Sequence, residues 1–197
     1  MKSLYYFIVK PFDDRYDNTR TVNGSDLIIN TGIEDHRFIS KKAVVVSTPA
    51  AYDTKINIGD ELYIHHNIFR RWYDQKGKER NSSTHFKDDL YFVSLEQIYM
   101  YNLKPNLDYC FIKPIKNQSV LENRKEQPNV GIVKYSNKSL EALGIAPETL
   151  ITFTPNSEFE FIIEGERLYC MKSNDIALTH EYQGNEEENN PSWAKGS

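Results

Sequence analysis

Tyr6-Phe7-Ile8-Val9-Lys10-Pro11-Phe12 is answered later in the chain by Tyr109-Cys110-Phe111-Ile112-Lys113-Pro114-Ile115, with Lys-Pro falling on Lys-Pro. Each is a short run rich in β-branched and aromatic residues, which reads as a strand. The correspondence continues. Leu90-Tyr91-Phe92-Val93, followed by Gln97-Ile98-Tyr99-Met100, aligns with Leu168-Tyr169-Cys170-Met171, followed by Asp175-Ile176-Ala177-Leu178. Between these anchors Val44-Val45-Val46 matches Ile132-Val133-Lys134, and Gly59-Asp60-Glu61-Leu62-Tyr63-Ile64 matches Pro147-Glu148-Thr149-Leu150-Ile151-Thr152. The same elements in the same order twice predict two related domains, 1–102 and 103–180. They are joined through 102–108, which holds Pro105 and no apolar periodicity.

The rest of the chain agrees with a β architecture. Further runs at 5–9, 42–47, 61–65, 90–93, 98–101, 109–112, 130–135, 150–153, 159–163 and 168–171 are rich in Val, Ile, Tyr and Phe and are separated by Gly, Pro, Asn and Asp. That pattern predicts an all-β fold of sandwich or small-barrel type. Residues 139–143 alone read as helix, one turn that Gly144 would stop. With 39% hydrophobic and 13% aromatic residues the chain can bury a core, and a net charge of −4 argues against whole-surface nucleic-acid binding. Cys110 and Cys170 lack any zinc spacing and read as buried thiols in a reducing compartment. The N-terminal apolar run ends at Lys10-Pro11, too soon for a signal peptide or a membrane span.

The copies differ in their loops. In the first, residues 13–42 separate the Lys-Pro strand from the next strand block, against 116–129 in the second, and a second polar excursion spans 67–89. Such additions carry function more often than core. Within the first lies Val22-Asn23-Gly24-Ser25-Asp26-Leu27-Ile28-Ile29-Asn30-Thr31-Gly32-Ile33, an aliphatic cluster among turn formers. Taken alone it reads as a short strand as readily as an exposed loop.

The ordered set of pieces, NGSDLIINTG, KKAVVVS, KINIGDELYIHHN and DDLYFVSLEQIYM, then VGIVKYSN, GIAPETLITFTPN and RLYCMKSNDIALT, resembles the GroES-type co-chaperonins. With two copies, the chain resembles a divergent or phage-encoded form of that pattern. The resemblance implies two tandem GroES-like small β-barrels joined by a short linker. It also implies a non-enzymatic, cytoplasmic role (the host cytoplasm for a phage protein), as a homo-oligomer with a GroEL-type chaperonin ring as partner. Leu27, Ile28 and Ile29 would be the docking tripeptide of a mobile loop hinged at Gly24 and Gly32. Three buried aliphatic side chains supply about 5 to 8 kcal/mol gross, against about 2 to 5 kcal/mol for ordering the loop. One loop therefore binds weakly, and a ring presenting several gains by effective concentration. The loop at 116–129 has no glycine and only Val120-Leu121 as an apolar pair, and reads as structural.

The second excursion gathers Phe69, Arg70, Arg71, Trp72, Tyr73, Lys76, Lys78 and Arg80. Basic residues interleaved with aromatics are the means of tracking a single-stranded nucleic acid, which makes a nucleic-acid-binding or phage structural module the alternative function. The same residues also read as an extended hairpin with a charged tip near Gln75-Lys76-Gly77-Lys78, diluted by Asp74 and Glu79. Enzyme motifs are absent and no cofactor or metal is expected: on a strand, adjacent His65 and His66 would point to opposite faces, and the group Glu34, Asp35 and His36 lacks a spaced further ligand. Residues 181–197, acidic and rich in Asn, are expected to form a disordered tail.

Overall fold

A computed structural model describes residues 3–16, 19–22, 25–28, 35, 37–117, 125–181 and 186–196, with 19–22, 25–28 and 195–196 described by backbone alone. The chain is all-β, with one short α-helix among the described residues. It divides into two compact units, Met1–Asn102 and Leu103–Ser197.

The first unit contains β1 (Phe7–Pro11), β2 (Thr19–Val22), β3 (Ser25–Ile28), β4 (Lys42–Ser47), β5 (Glu61–Ile64), β6 (Arg71–Tyr73), β7 (Glu79–Asn81), β8 (His85–Lys87), β9 (Leu90–Val93) and β10 (Ile98–Tyr101). Its main antiparallel sheet runs β10-β5-β4-β1-β9-β8. Strand β4 shows why the run at 42–47 makes a strand: Ala43, Val45 and Ser47 are buried and alternate with half-exposed neighbours, the period-two pattern of a sheet with one face on a core. That core joins Phe7, Val9, Val45, Leu62, Ile64, Tyr91, Val93 and Ile98 with Ile56, Ile68 and Phe69 from the connections.

The second unit contains β11 (Lys104–Pro105), β12 (Tyr109–Lys116), β13 (Glu126–Tyr135), α1 (Lys138–Ala142), β14 (Leu150–Phe153), β15 (Phe159–Ile163), β16 (Glu166–Lys172) and β17 (Ile176–His180). Its antiparallel sheet runs β17-β14-β13-β12-β16-β15, the first unit's order element for element. Registers agree as well. Val9 faces Val45 and Tyr91, and Ile112 faces Val133 and Tyr169; Pro11 faces Ala43, and Pro114 faces Gly131. Both prolines lie beyond the last pair that β1 makes with β9 or β12 with β16, where no ladder bond needs the missing N–H. Helix α1 lies one residue ahead of its predicted position: Asn137 accepts the Leu140 N–H at 3.0 Å, and Gly144, at φ +78°, stops it.

The fold departs from the reading of the sequence in two further places within these units. The central repeat alignment shifts by one residue, so Gly59 corresponds to Glu148 rather than Pro147. Gly59 N–H donates to Val45 O and Glu148 N–H to Val133 O, and both residues hold a positive φ, +92° and +69°. With this register Leu62 matches Ile151 and Ile64 matches Phe153, all buried. The tail expected to be disordered beyond 181 is instead anchored over 186–196: Glu188 bridges to Ile115, and Ala194 is fully buried. Its glutamates and asparagines find specific partners on the second unit, which a composition-based reading counts only as polar.

Candidate docking site

The long connection of the first unit leaves β1 at Pro11 and returns into β4 at Lys42. Its two stems are zipped: Phe12 N–H donates to Lys42 O at 3.1 Å, Ser40 N–H to Arg15 O at 3.1 Å, and Tyr16 bridges to Ile39. The Lys42 ammonium sits 3.7 Å from the centre of the Phe12 ring. Arg15 then ties this stem to the 67–89 excursion. Its Nε donates to Phe69 O at 2.6 Å, Nη2 to Arg70 O at 3.1 Å and Nη1 to Asn81 Oδ1 at 2.7 Å, while the guanidinium lies over the Tyr91 ring. One guanidinium fork thus holds two backbone carbonyls, of which Arg70 O also accepts the Ser82 N–H at 3.0 Å. Burial lowers the Arg15 pKa, opposed by Tyr91 and Tyr16. Next along the stem, the Tyr16 hydroxyl accepts the Arg71 N–H at 2.8 Å beneath the Arg71 guanidinium.

Beyond this brace β2 and β3 form a two-stranded ribbon that pairs Thr19 with Ile28, Arg20 with Leu27, Thr21 with Asp26 and Val22 with Ser25. The backbone of Leu27 and Ile28 is therefore extended and paired, and the ribbon is separate from the main sheet. Ile29, Gly24 and Gly32 lie outside the described residues. Isolated two-stranded ribbons are marginal in water; the brace at Arg15 and Tyr16 fixes the stem as far as residue 16. The sequence signal for the ribbon is Asn23-Gly24 between Val22 and Ser25, the dipeptide most favoured in two-residue hairpin connections.

The other candidate surface, 69–80, is a hairpin in which Arg71–Tyr73 pairs with Glu79–Asn81. Asp74 closes its tip by accepting the Lys76 and Lys78 N–H groups, both at 2.9 Å, and these bonds with Arg80 hold its carboxyl below the ordinary range. Phe69, grouped with the nucleic-acid contacts above, is 0% exposed: it belongs to the core, packed edge-on against Tyr91, and cannot stack on a base. Arg71 pairs with Glu79 and Arg80 with Asp74, so part of the positive charge is neutralised within the hairpin. Trp72 and Tyr73 stay 42% and 51% exposed beside exposed Lys76 and Lys78. Among the described residues Arg70 Nε, Arg71 Nε and the Tyr91 hydroxyl are buried with no hydrogen-bond partner, at the root of this hairpin.

Other chemistry-bearing residues resolve simply. His65 and His66 stack face to face at 4.4 Å rather than pointing apart, because β5 ends at Ile64 and a 3-10 turn starts at His66. Burial lowers the His65 pKa, and its Nδ1 accepts the Asn67 N–H. Asp35 pairs with Arg37, while Glu34 and His36 lie outside the described residues. Among the described residues no group of three or more His, Cys, Asp or Glu is placed to hold a metal ion, and no helix is long and apolar enough to cross a membrane. Cys110 and Cys170 are free and buried on neighbouring strands, and burial pushes the Cys110 thiol up to about 12, so neither is poised as a nucleophile. No protein-family model and no curated protein sequence matches the chain.

Sequence reasoning missed Arg15 and Tyr16. Most of their partners are backbone groups some 55 residues away, and backbone groups leave no signature in side-chain pattern.

Proposed function

We propose that the chain is a non-enzymatic co-chaperonin, whose two sheets each curl into a small GroES-like barrel and whose copies assemble into a cap for a chaperonin ring. Leu27-Ile28-Ile29 is the docking element. The observation that carries this reading is the asymmetry between the copies: one strand order is built twice, and among the described residues only the first copy bears an added two-stranded ribbon, with aliphatic Leu27 and Ile28 on it. A ribbon whose backbone is already paired needs less ordering on binding than an open loop, so more of the burial energy of its aliphatic side chains reaches affinity. Affinity per chain stays modest, and multiple ribbons supply the rest.

The test is co-migration with a chaperonin ring in the presence of nucleotide. Ile28→Asp places a charge where an apolar groove must be filled and should abolish the complex while the urea midpoint stays unchanged. Full co-migration of that variant sinks the docking claim. Exposed Trp72 and Tyr73 keep the nucleic-acid reading testable in the same preparation. Binding to a single-stranded oligonucleotide at low salt, weakening steeply as salt rises and lost in Trp72→Ala, would favour it over capping.

A further inference from the structure

On the second unit the ladder between β12 and β16 stops at Ile112 and Tyr169, yet β12 continues to Lys116. The edge left open there is filled by the C-terminal segment, which runs antiparallel to it. Lys116 N–H donates to Glu187 O at 2.7 Å and Asn189 N–H to Pro114 O at 2.8 Å, flanking the bridge between Ile115 and Glu188. Pro114 sits where only its carbonyl is used.

Each side chain of the segment is read separately. Glu188 meets the ammonium of Lys113 at 2.5 Å, and Lys113, 9% exposed, also has Glu148 at 3.5 Å. Burial works against that ammonium, but Glu188 and Glu148 outweigh it and its pKa is raised. Glu187 pairs with Lys116 at 2.7 Å. Asn189 donates to Glu126 Oε2 at 3.1 Å; Asn190 accepts the Arg167 N–H at 3.2 Å and donates to Gly165 O at 3.1 Å. Glu126 is itself held by Arg167 and by the Tyr169 hydroxyl, so the surface that reads Asn189 is built before the segment arrives. Past Asn190, Pro191 and Trp193 join Phe153 and Tyr169 in lining a cleft of about 500 Å³.

We propose that this edge is a peptide-binding site for an extended acidic segment, and that its resident ligand is the chain's own Glu187-Glu188-Asn189-Asn190. Main-chain bonds to an open strand edge supply affinity, and two lysines and two amide-reading positions supply specificity, as in strand addition by peptides. The site has a consequence for the second loop. Its stems are Lys116 and Glu126, and the segment grips both, Lys116 through Glu187 and Glu126 through Asn189. Occupancy therefore clasps the base of 117–125. No equivalent clasp appears on the first copy among the described residues, where Lys10, at the place of Lys113, is exposed. This inference is independent of chaperonin docking.

The test uses the full chain with a protease site placed within 182–185. After cutting, the freed 186–197 peptide should co-elute with the protein at about 0.05 M salt and be retained less at about 0.5 M, where the exposed Lys116–Glu187 pair is screened. A labelled synthetic peptide of the same sequence should exchange into cut protein and not into uncut protein. Glu187→Lys with Glu188→Lys should weaken retention by tenfold or more. In the uncut chain the same pair of substitutions should speed hydrogen exchange at the Lys116 amide by a similar factor, a readout that survives if the cut protein unfolds. Release of the peptide at low salt from a folded protein, or retention and exchange rates unmoved by charge reversal, overturns the site. A two-chain mass that disappears on cutting overturns the cis assignment of the ligand.

Discussion

Replacing Gly131 by alanine probes the second sheet at its tightest point. Gly131 faces Pro114 across the β12–β13 pair, and a Cβ built on it would lie 2.5 Å from Ile112 Cγ2 and 2.6 Å from Lys113 O. Carbon atoms settle at about 3.5 to 4.0 Å, so about 1 Å must be found. Ile112 is fully buried between Val133 and Tyr169, and Lys113 O is backbone of a central strand, so neither yields by a rotamer change. Overpacking costs about 1 to 3 kcal/mol, and displaced backbone puts this case near the top of that range. The stiffer unfolded chain returns about 0.5 to 1 kcal/mol, leaving a net loss of about 2 kcal/mol. For a urea slope of about 1 to 2 kcal/mol/M, the midpoint falls by about 1 to 2 M. The two tryptophans report the units separately, Trp72 the first and Trp193 the second, so paired variants carrying Trp72→Phe or Trp193→Phe resolve which transition moves. Only the Trp193 transition should shift. Ala43, the counterpart of Gly131, already carries a Cβ opposite Pro11, and Ala43→Gly should cost no more than about 1 kcal/mol. A loss under about 0.5 kcal/mol for Gly131→Ala, or a shift in the Trp72 transition, refutes the close-approach argument.

Arg15→Lys keeps the charge and loses the fork, so Phe69 O loses its guanidinium donor while Arg70 O keeps the Ser82 N–H; the Trp72 transition should drop by about 1 to 2 kcal/mol, and an unchanged midpoint would remove Arg15 from the brace. Acid should loosen the second unit. Glu126 is pushed up by burial but pulled further down by Arg167 and Tyr169, and Glu187 is lowered by Lys116, so both carboxyls titrate below the unfolded value of 4.5. Their stabilisation is present above that value and is lost as pH falls through the folded values. The Trp193 urea midpoint should therefore fall between about pH 5 and 3 and be less acid-sensitive in Glu126→Gln; an identical pH profile for that variant contradicts the assignment.

Strand positions were legible because they are local: 42–47 is a short Val-rich run, and Gly144 stops one helical turn. The doubling was legible too, since a duplicated strand order leaves Lys10-Pro11 and Lys113-Pro114 in the string itself. Chain pattern specifies which backbone is extended and which face is apolar, and these depend on neighbours two to four residues apart. It does not specify what lies across a gap. The one-residue shift that puts Gly59 on Glu148, the Arg15 fork on two carbonyls and the seating of Glu187 and Glu188 on β12 all depend on backbone groups brought together from distant segments. Those groups are chemically identical at every position, so only the tertiary arrangement chooses among them.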